Sequence, residues 1–349
     1  MHRFPNPGSS LDNIIGCFIF LYKNINTNQT FGLRDMQEIL VLNGLISSSG
    51  RMGSEALSRG ANKDLTRDKS YNQCKMYAEI YRVLGWIQSG EKALIYNFTP
   101  LGKQLLSTTS TPKRFLEQCC IGILYPNEVI HVSGNHHIRP FVTILKTMNM
   151  LGGVLSRDEM IIGPLSMFDD TSDSEFSAMC SKLGGLRQSK SNFDNEIEAM
   201  LAARKISRTT AGNYTRFPLG VLRWLEWAEP ILDKNNYHAP QKTYRLTERG
   251  RTIIKSLESR IDIRLDQVKK IPPAKLNELI KVSFFRMLKA SGLDITNCSI
   301  NVDDLHEYEK QLGGMILFSP YQLLSPDKLF NAFAEKQPKD GRKSTYSPE

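Results

Sequence analysis

One segment of the sequence, residues 204–217, reads RKISRTTAGNYTRF and contains no acidic residue. Guanidinium groups bind two acceptors of a guanine or a phosphate at once, and an amide side chain pairs in the same way with adenine. The threonine and tyrosine hydroxyls of the segment suit phosphate oxygens. We expect a surface here that contacts double-stranded DNA and extends back into LRQSKSNF. Its candidate contacts are Lys190, Arg204, Lys205, Arg208, Asn213 and Arg216.

An earlier segment, residues 47–75, mixes cations with asparagine and glutamine. Its candidate DNA contacts are Arg51, Arg59, Lys63, Arg67, Lys69 and Lys75. Three carboxylates in the same segment, those of Glu55, Asp64 and Asp68, make it the weaker candidate. For both segments the alternative is a solvated charged face. The formal net charge of +9 favours an anionic partner but does not require one.

No pattern of residues in the sequence indicates a catalytic centre. A duplex-cutting nuclease of the common fold needs an aspartate followed by Asp/Glu-x-Lys, and no usable triplet is present. The carboxylates of Asp303, Asp304, Glu307 and Glu309 are close enough in sequence to cluster, but on a helix they indicate a solvated face. The six cysteines have no spacing suited to zinc, which leaves plain thiols in a reducing cytoplasm.

A repeat lies among the elements that must position the two cationic segments. YNFTPLGKQLL (96–106) and YRLTERGRTII (244–254) share Tyr-x-apolar-Thr-x-x-Gly-basic-x-apolar-apolar. Each copy follows an apolar helical pattern and a hairpin signal. Thr99 and Thr247 are predicted N-caps of the next helix. Gly102 and Gly250 are costly inside a helix, which predicts a close approach of another backbone there.

Helix, hairpin and capped helix are the last elements of a winged helix-turn-helix module. The earlier elements also occur twice: LRDMQEILVLNGLI is helical, and a helix through Phe141 and Leu151 ends at Gly152-Gly153. Ser156 and Glu159 then form a capping box. The predicted fold is mainly α with small β-hairpins (α+β): tandem winged helix-turn-helix domains and a C-terminal helical connector. The predicted division is 1–110, connector 111–137, 138–262, C-terminal segment 263–335 and disordered tail 336–349.

The apolar run IIGCFIFLY (14–22) predicts a buried first helix. It lacks the flanks of a signal peptide and is too short to span a bilayer. A cytoplasmic protein without a membrane partner is therefore expected.

The order of these parts resembles the recognition half of type IIS restriction endonucleases of the AlwI kind and their nicking relatives. The similar segments are GWIQSGEKALIYNFTPLGKQLL, PKRFLEQCCIGILYPN and RPFVTILKTMNMLGGVLSRDEM, within residues 75–260. In that family this half reads a short asymmetric site, and a C-terminal PD-(D/E)-x-K domain cuts at a fixed distance with Mg²⁺. The resemblance implies double-stranded DNA as partner and Mg²⁺ for cleavage. This sequence departs from the family because that nuclease motif is not found. The chain is therefore expected to be the recognition subunit of a split enzyme with a separate nuclease subunit, a truncated enzyme, or an enzyme with a degenerate metal site at 303–309.

A second class of function is also open at this point. Tandem winged helices with a C-terminal dimerisation segment are typical of transcriptional regulators, which favour palindromic sites. A third reading, a protein-interaction scaffold, predicts no salt-dependent DNA binding.

Overall fold

The computed structural model describes residues 2–6, 8–26, 29–47, 52–61, 67–90, 94–99, 102, 105–106, 112–123, 138–170, 172–231 and 242–258. Within them the chain is mostly helical, with two small antiparallel sheets, and the predicted α+β class is confirmed. No helix of the described residues has the length and apolar character needed to cross a bilayer. The predicted domain boundaries remain predictions, and the segments from 259 onward lie outside the described residues.

The first half of the chain forms a helix-strand-helix unit followed by two further helices and a hairpin. The sheet order is β1-β3-β2, with Phe31 opposite Tyr96 and Ile87 opposite Phe98. The apolar run predicted to be a buried helix is the core of α1, as expected. The elements are α1 (Leu11–Asn24), β1 (Phe31–Gly32), α2 (Leu33–Leu42), α3 (Gly53–Ala61), α4 (Lys69–Val83), β2 (Ile87–Ser89) and β3 (Ile95–Phe98).

The second half repeats this order after a connecting helix, α5 (Pro112–Gly122). Its sheet has the equivalent order, β4-β6-β5, and the Ser156–Glu159 capping box is confirmed. The elements are α6 (Pro140–Met150), β4 (Val154–Ser156), α7 (Arg157–Ile162), α8 (Asp173–Leu186), α9 (Lys190–Ala203), α10 (Arg208–Tyr214), α11 (Arg216–Trp224), β5 (Ala228–Pro230), β6 (Thr243–Leu246) and α12 (Glu248–Glu258). We refer to the two halves as the first and second modules.

The repeated threonines make the same hydrogen bonds in both modules. The Thr99 hydroxyl accepts from the Gly102 amide at 3.0 Å, and the Thr247 hydroxyl accepts from the Gly250 amide at 3.0 Å. Each hydroxyl also donates to a backbone carbonyl: Thr99 to that of Gly85 in the turn after α4, and Thr247 to that of Glu226 in the turn after α11. The predicted caps are therefore present. They tie Gly102 to the turn after α4, and the start of α12 to the turn after α11.

The repeated glycines are required by packing. A Cβ atom added at Gly102 would collide with the carbonyl oxygen of Trp86, and one at Gly250 would collide with that of Trp227. In both modules that carbonyl accepts the amide of the capping threonine, at 3.0 and 3.1 Å. The predicted close approach of another backbone is confirmed at both glycines. Gly102 is held against the chain after α4, and Gly250 is held against the chain after α11 in the same way.

The second module contains a helical hairpin, α8–α9, that has no counterpart among the described residues of the first module. Its apolar side chains form a small separate core with α7 and α10. Arg187 fixes the hairpin to the module: its guanidinium donates to the carbonyl oxygens of Leu151 and Val154 at 2.8 and 2.6 Å and pairs with the Glu159 carboxylate. Arg187 therefore has a structural role within the segment expected to face DNA.

The connecting helix α5 joins the two modules through both repeated tryptophans. The indole nitrogen of Trp86 donates to the Cys119 sulfur at 3.3 Å, and that of Trp227 donates to the Glu117 carboxylate at 3.0 Å. Arg249 pairs with the same carboxylate at 2.7 Å. Buried side chains of both modules and of α5 belong to one continuous hydrophobic cluster, so the described modules share a core.

Candidate nucleic-acid interface

We call the helical segment just before the hairpin the third helical segment of each module, after its place in the predicted helix-turn-helix module: α4 in the first and α10–α11 in the second. Each segment ends three residues before a repeated tryptophan. Counted back from it, amide side chains occupy equivalent positions: Asn72 lies 14 residues before Trp86, and Asn213 lies 14 residues before Trp227. Both asparagines are half-buried near the start of their helical segment. The two modules thus carry an amide side chain, a group that can pair with adenine, at equivalent positions of the sequence.

Cations also occupy equivalent positions on these segments. Lys75 and Arg216 lie 11 residues before their tryptophans, and Arg82 and Arg223 lie 4 residues before them. Lys75, Arg216 and Arg223 are exposed, and Arg82 is partly buried. Because residues three apart share a helix face, Lys75 neighbours Asn72 on α4. In the second module the same spacing spans the junction of α10 and α11, where Arg216 follows Asn213 by three residues. Sequence reasoning missed Arg82 and Arg223, and aligning the repeat backward from the tryptophans would have found both.

The earlier cationic segment is only partly within the described residues. Arg59 lies in α3, and Arg51 and Lys63 lie outside the described residues. Arg67 precedes α4, Lys69 begins it and Lys75 lies on it, and all three side chains are exposed. The structure therefore collects these three cations at the first half of α4.

Asp68, which counted against this segment in the sequence, is buried and organises the start of α4. It is the N-cap, and it accepts hydrogen bonds from the Tyr71 amide at 3.1 Å and from Gln37 at 2.8 Å. Burial by itself raises the pKa of Asp68, but the hydrogen bonds from Gln37, Tyr71 and Ser70 bring it below its ordinary value of 3.8. The carboxylate is therefore charged at neutral pH.

Arg208, in the segment free of acidic residues, is paired with carboxylates from elsewhere in the chain. Its guanidinium lies 2.6 Å from Asp158 at the start of α7, and 3.6 and 3.3 Å from Asp194 and Glu198 on α9. The hydrogen bond to Asp158 is the main cause of a raised Arg208 pKa. This pairing neutralises the cation and ties the first residue of α10 to two other helices.

The remaining candidates of the second module do not form one patch. Asn213 and Arg216 adjoin one another on α10 and α11, while Arg204 and Lys205 follow the end of α9. Burial lowers the pKa of Arg204, which is half-buried, and Lys205 is exposed. Lys190 begins α9 and lies about 20 Å from Arg204, from the helical rise of about 1.5 Å per residue.

The N-terminal arm, residues 2–6 and 8–10, joins the third helical segments of the two modules. Arg3 lies 4.0 Å from the Glu79 carboxylate on α4, and its guanidinium carbon lies 5.9 Å from the centre of the Tyr214 ring on α10. Phe4 packs against Phe217 of α11 with ring centres 5.9 Å apart. No sequence pattern indicated this role, because these contacts link residues more than 70 positions apart.

The arm also binds α4 through Ser9. The Ser9 hydroxyl accepts hydrogen bonds from Tyr77 at 2.8 Å and from Gln73 at 3.1 Å. Gln73, an amide of the earlier cationic segment, is thus used to hold the arm. A cleft of about 710 Å³ lies between the arm with the start of α1 and the exposed face of α11, and Arg216 and Arg223 are part of its lining.

The described residues offer no group of three or more histidine, cysteine, aspartate or glutamate side chains arranged to hold a metal ion. They therefore do not fit the Mg²⁺ implied by the family resemblance, and the carboxylates at 303–309 lie outside them. The described cysteines are buried and form no disulfide with one another. Burial raises the pKa of the Cys17 thiol to about 11, so it is protonated at neutral pH.

No protein-family model and no curated protein matches the sequence. Among solved structures, the BpuJ1 endonuclease binding domain in complex with pyrene- and phenanthrene-modified DNA has a TM-score of 0.41 and 11% identity, over 73% of this chain and 83% of that one. Restriction endonuclease FokI bound to DNA has a TM-score of 0.34 and 13% identity, over 90% of this chain and 58% of that one. This chain thus spans just over half the length of FokI.

Proposed function

We propose that this chain binds a specific double-stranded DNA sequence, and that its two modules are winged helix-turn-helix units acting on one asymmetric site. The observation that carries the proposal is the pair of equivalent positions on the third helical segments. Asn72 with Lys75, and Asn213 with Arg216, stand at equal distances before the tryptophans that anchor those segments. An amide for base edges beside a cation for guanine or phosphate suits a helix that enters the major groove.

The link between the modules supports a single composite site. Both tryptophans are fixed to α5, and the N-terminal arm contacts α4 and α10–α11 at once. Because α4 and α10–α11 are both linked to α5 and to the arm, the distance between the two helical segments that would contact the duplex is fixed. Since the two modules are not identical, the sequence they read together has no two-fold symmetry.

We further propose that this recognition serves a type II restriction system of the IIS kind in the cytoplasm. Magnesium-dependent cleavage would be performed by a nuclease centre outside the described residues or on a partner subunit. The support is the resemblance of residues 75–260 to the recognition half of such enzymes. Incubating the chain with long duplex DNA in magnesium, beside an EDTA control, separates the cases: magnesium-dependent fragments place the nuclease centre in this chain, and intact DNA places it elsewhere.

Selection from a randomised duplex library by the purified full chain tests the recognition proposal. We expect enrichment of one asymmetric sequence with two parts. Asn72→Ala should relax the preference in one part, and Asn213→Ala should relax it in the other, because each removes one base-pairing amide. Enrichment that is unchanged in both variants would refute base reading by these residues.

Two other outcomes would replace the proposal. A palindromic sequence bound by a dimer would indicate a tandem winged-helix transcriptional regulator. Absence of any salt-dependent DNA binding would indicate a protein-interaction role, because contacts to phosphates always release counterions.

A further inference from the structure

The cleft between the N-terminal arm and α11 has the size of a ligand site. Its volume of about 710 Å³ lies within the range of roughly 300–1,000 Å³ found for small-molecule and cofactor sites. One wall is formed by Asn6, residues 8–11 and Ile14, and the other by the exposed face of α11. The cleft therefore lies at the junction of the two modules, since Ser9 in the first wall is hydrogen-bonded to α4.

Two unneutralised cations face this cleft. Arg216 and Arg223 lie seven residues apart on α11, about 10 Å along the helix axis. Neither guanidinium has a hydrogen bond or an ion pair with a residue that the structure describes, in contrast to Arg208 with its three carboxylates. None of the described residues that line the cleft is acidic. The cleft therefore attracts an anion.

The surface between the two arginines is open and mainly apolar. Gly220 lies between them, and a Cβ atom added there would meet nothing within 4 Å. Phe217 and Trp224 provide apolar surface beside it. Cationic groups around an apolar surface fit a phosphorylated sugar better than a free inorganic anion, because the sugar ring covers the apolar part while the phosphates meet the guanidiniums.

We propose that this cleft holds a sugar–phosphate segment of the bound DNA strand, clamped between the arm and α11. The inference rests on the proposed function and adds a backbone contact at the module junction. Backbone contacts position a protein on the duplex without reading sequence. The clamp would therefore set the register of both third helices together.

Filling the cleft tests the clamp without removing a charge. Gly220→Gln places a side chain in open space, and glutamine is a better helix former than glycine, so the fold should be kept. Gly184→Gln on α8 is the matched control, because Gly184 is also a helical glycine with nothing within 4 Å of an added Cβ. Arg223→Gln removes one of the two cations with little change in size. Circular dichroism and thermal unfolding verify that each variant is folded.

The measurement is fluorescence anisotropy of a labelled mixed-sequence duplex over a range of salt concentrations. Each phosphate contact steepens the negative slope of log K against log salt concentration by about 0.9. At 0.1 M salt, relative to 1 M, this corresponds to about eightfold in affinity. We expect Gly220→Gln and Arg223→Gln to raise Kd for all duplexes by roughly this factor and to reduce the slope by about 0.9. Gly184→Gln should bind like the unmodified chain.

The remaining outcomes separate this inference from the proposed function. Unchanged Kd and slope in both Gly220→Gln and Arg223→Gln, while the unmodified chain binds DNA, would overturn the clamp and leave the recognition proposal intact. No DNA binding by the unmodified chain would overturn both. Calorimetry with a free deoxynucleoside monophosphate covers the other source of this chemistry: binding that Gly220→Gln abolishes, with duplex affinity unchanged, would assign the cleft to a free nucleotide instead.

Discussion

Replacing Arg208 with glutamine is expected to destabilise the second module and to leave its affinity for DNA nearly unchanged. The guanidinium of Arg208 is the shared partner of Asp158, Asp194 and Glu198. A hydrogen bond to a charged group contributes about 1.5–3 kcal/mol to stability. The Arg208 side chain is 42% exposed, so solvent screens the cluster and the lower part of that range applies. We expect a loss of about 1.5–2 kcal/mol in the free energy of unfolding.

The cost comes mainly from Asp158, whose side chain is 19% exposed. Its second carboxylate oxygen is buried and has no hydrogen-bond partner among the described residues. Without Arg208, the ion-pair partner left to this carboxylate among the described residues is the Arg157 guanidinium, at 4.0 Å. The junction of α7, α9 and α10 would then hold uncompensated negative charge.

Arg216→Gln is the matched control, since it removes the same charge eight residues further along the chain. Arg216 is exposed and has no ion pair within the described residues, so its loss should leave the thermal midpoint unchanged. It should reduce the salt slope of DNA binding by about 0.9. The two variants are therefore expected to show opposite behaviour in stability and in binding.

Thermal unfolding and duplex titration at several salt concentrations measure both quantities on the same preparations. For Arg208→Gln we expect a midpoint lowered by a few degrees, at roughly 2–4 °C per kcal/mol, with an unchanged salt slope. A slope reduced by about 0.9 with an unchanged midpoint would refute the reasoning. It would show that Arg208 leaves its carboxylates to contact DNA.

Three further predictions concern the framework of the modules. Gly250→Ala should lower the free energy of unfolding by about 1–3 kcal/mol in urea titrations, because its Cβ meets the Trp227 carbonyl, whereas Gly184→Ala should not destabilise. The pKa of Asp68 is lowered in the folded state, so its charged carboxylate stabilises the fold. This contribution to the free energy of unfolding is complete above the ordinary pKa of 3.8 and is lost as the pH falls below that value. Asp68→Asn should be less stable than the unmodified chain at neutral pH, and the difference in their free energies of unfolding should narrow below about pH 3.8. A difference that stays constant with pH in urea titrations would contradict a stabilising role of the Asp68 charge. Glu117→Gln should cost about 1–2 kcal/mol, since this buried carboxylate accepts from Trp227, and an unchanged thermal midpoint would rule out its role in holding α5.

Elements defined by short-range patterns could be predicted from the sequence. The capping box of Ser156 and Glu159 and the caps at Thr99 and Thr247 depend on residues three apart, so the sequence contains all their partners. The need for glycine at position 250 was also predictable, because only a close approach explains its place in a helix. The identity of the approaching group, the Trp227 carbonyl, was not.

The candidate site depended on contacts between distant residues. The run 204–217 has no acidic residue, yet Asp158 reaches Arg208 from 50 positions away. The arm brings Arg3 to Tyr214 across more than 200 positions. Local spacing carries no information about such pairs, because chain folding alone decides which surfaces meet.

The sequence by itself determined the duplication, the α+β class and the helix ends, since hydrophobic periodicity and capping act within one or two turns. It also contained the equivalent asparagines and cations of the two third helical segments. Only the tertiary structure decided which cations remain unpaired. Arg208 is neutralised and Arg216 is not, because carboxylates of α7 and α9 pack against the first and no described carboxylate pairs with the second. The sequence gives the number of charged side chains, but tertiary packing decides which of them are exposed and which are paired with an opposite charge.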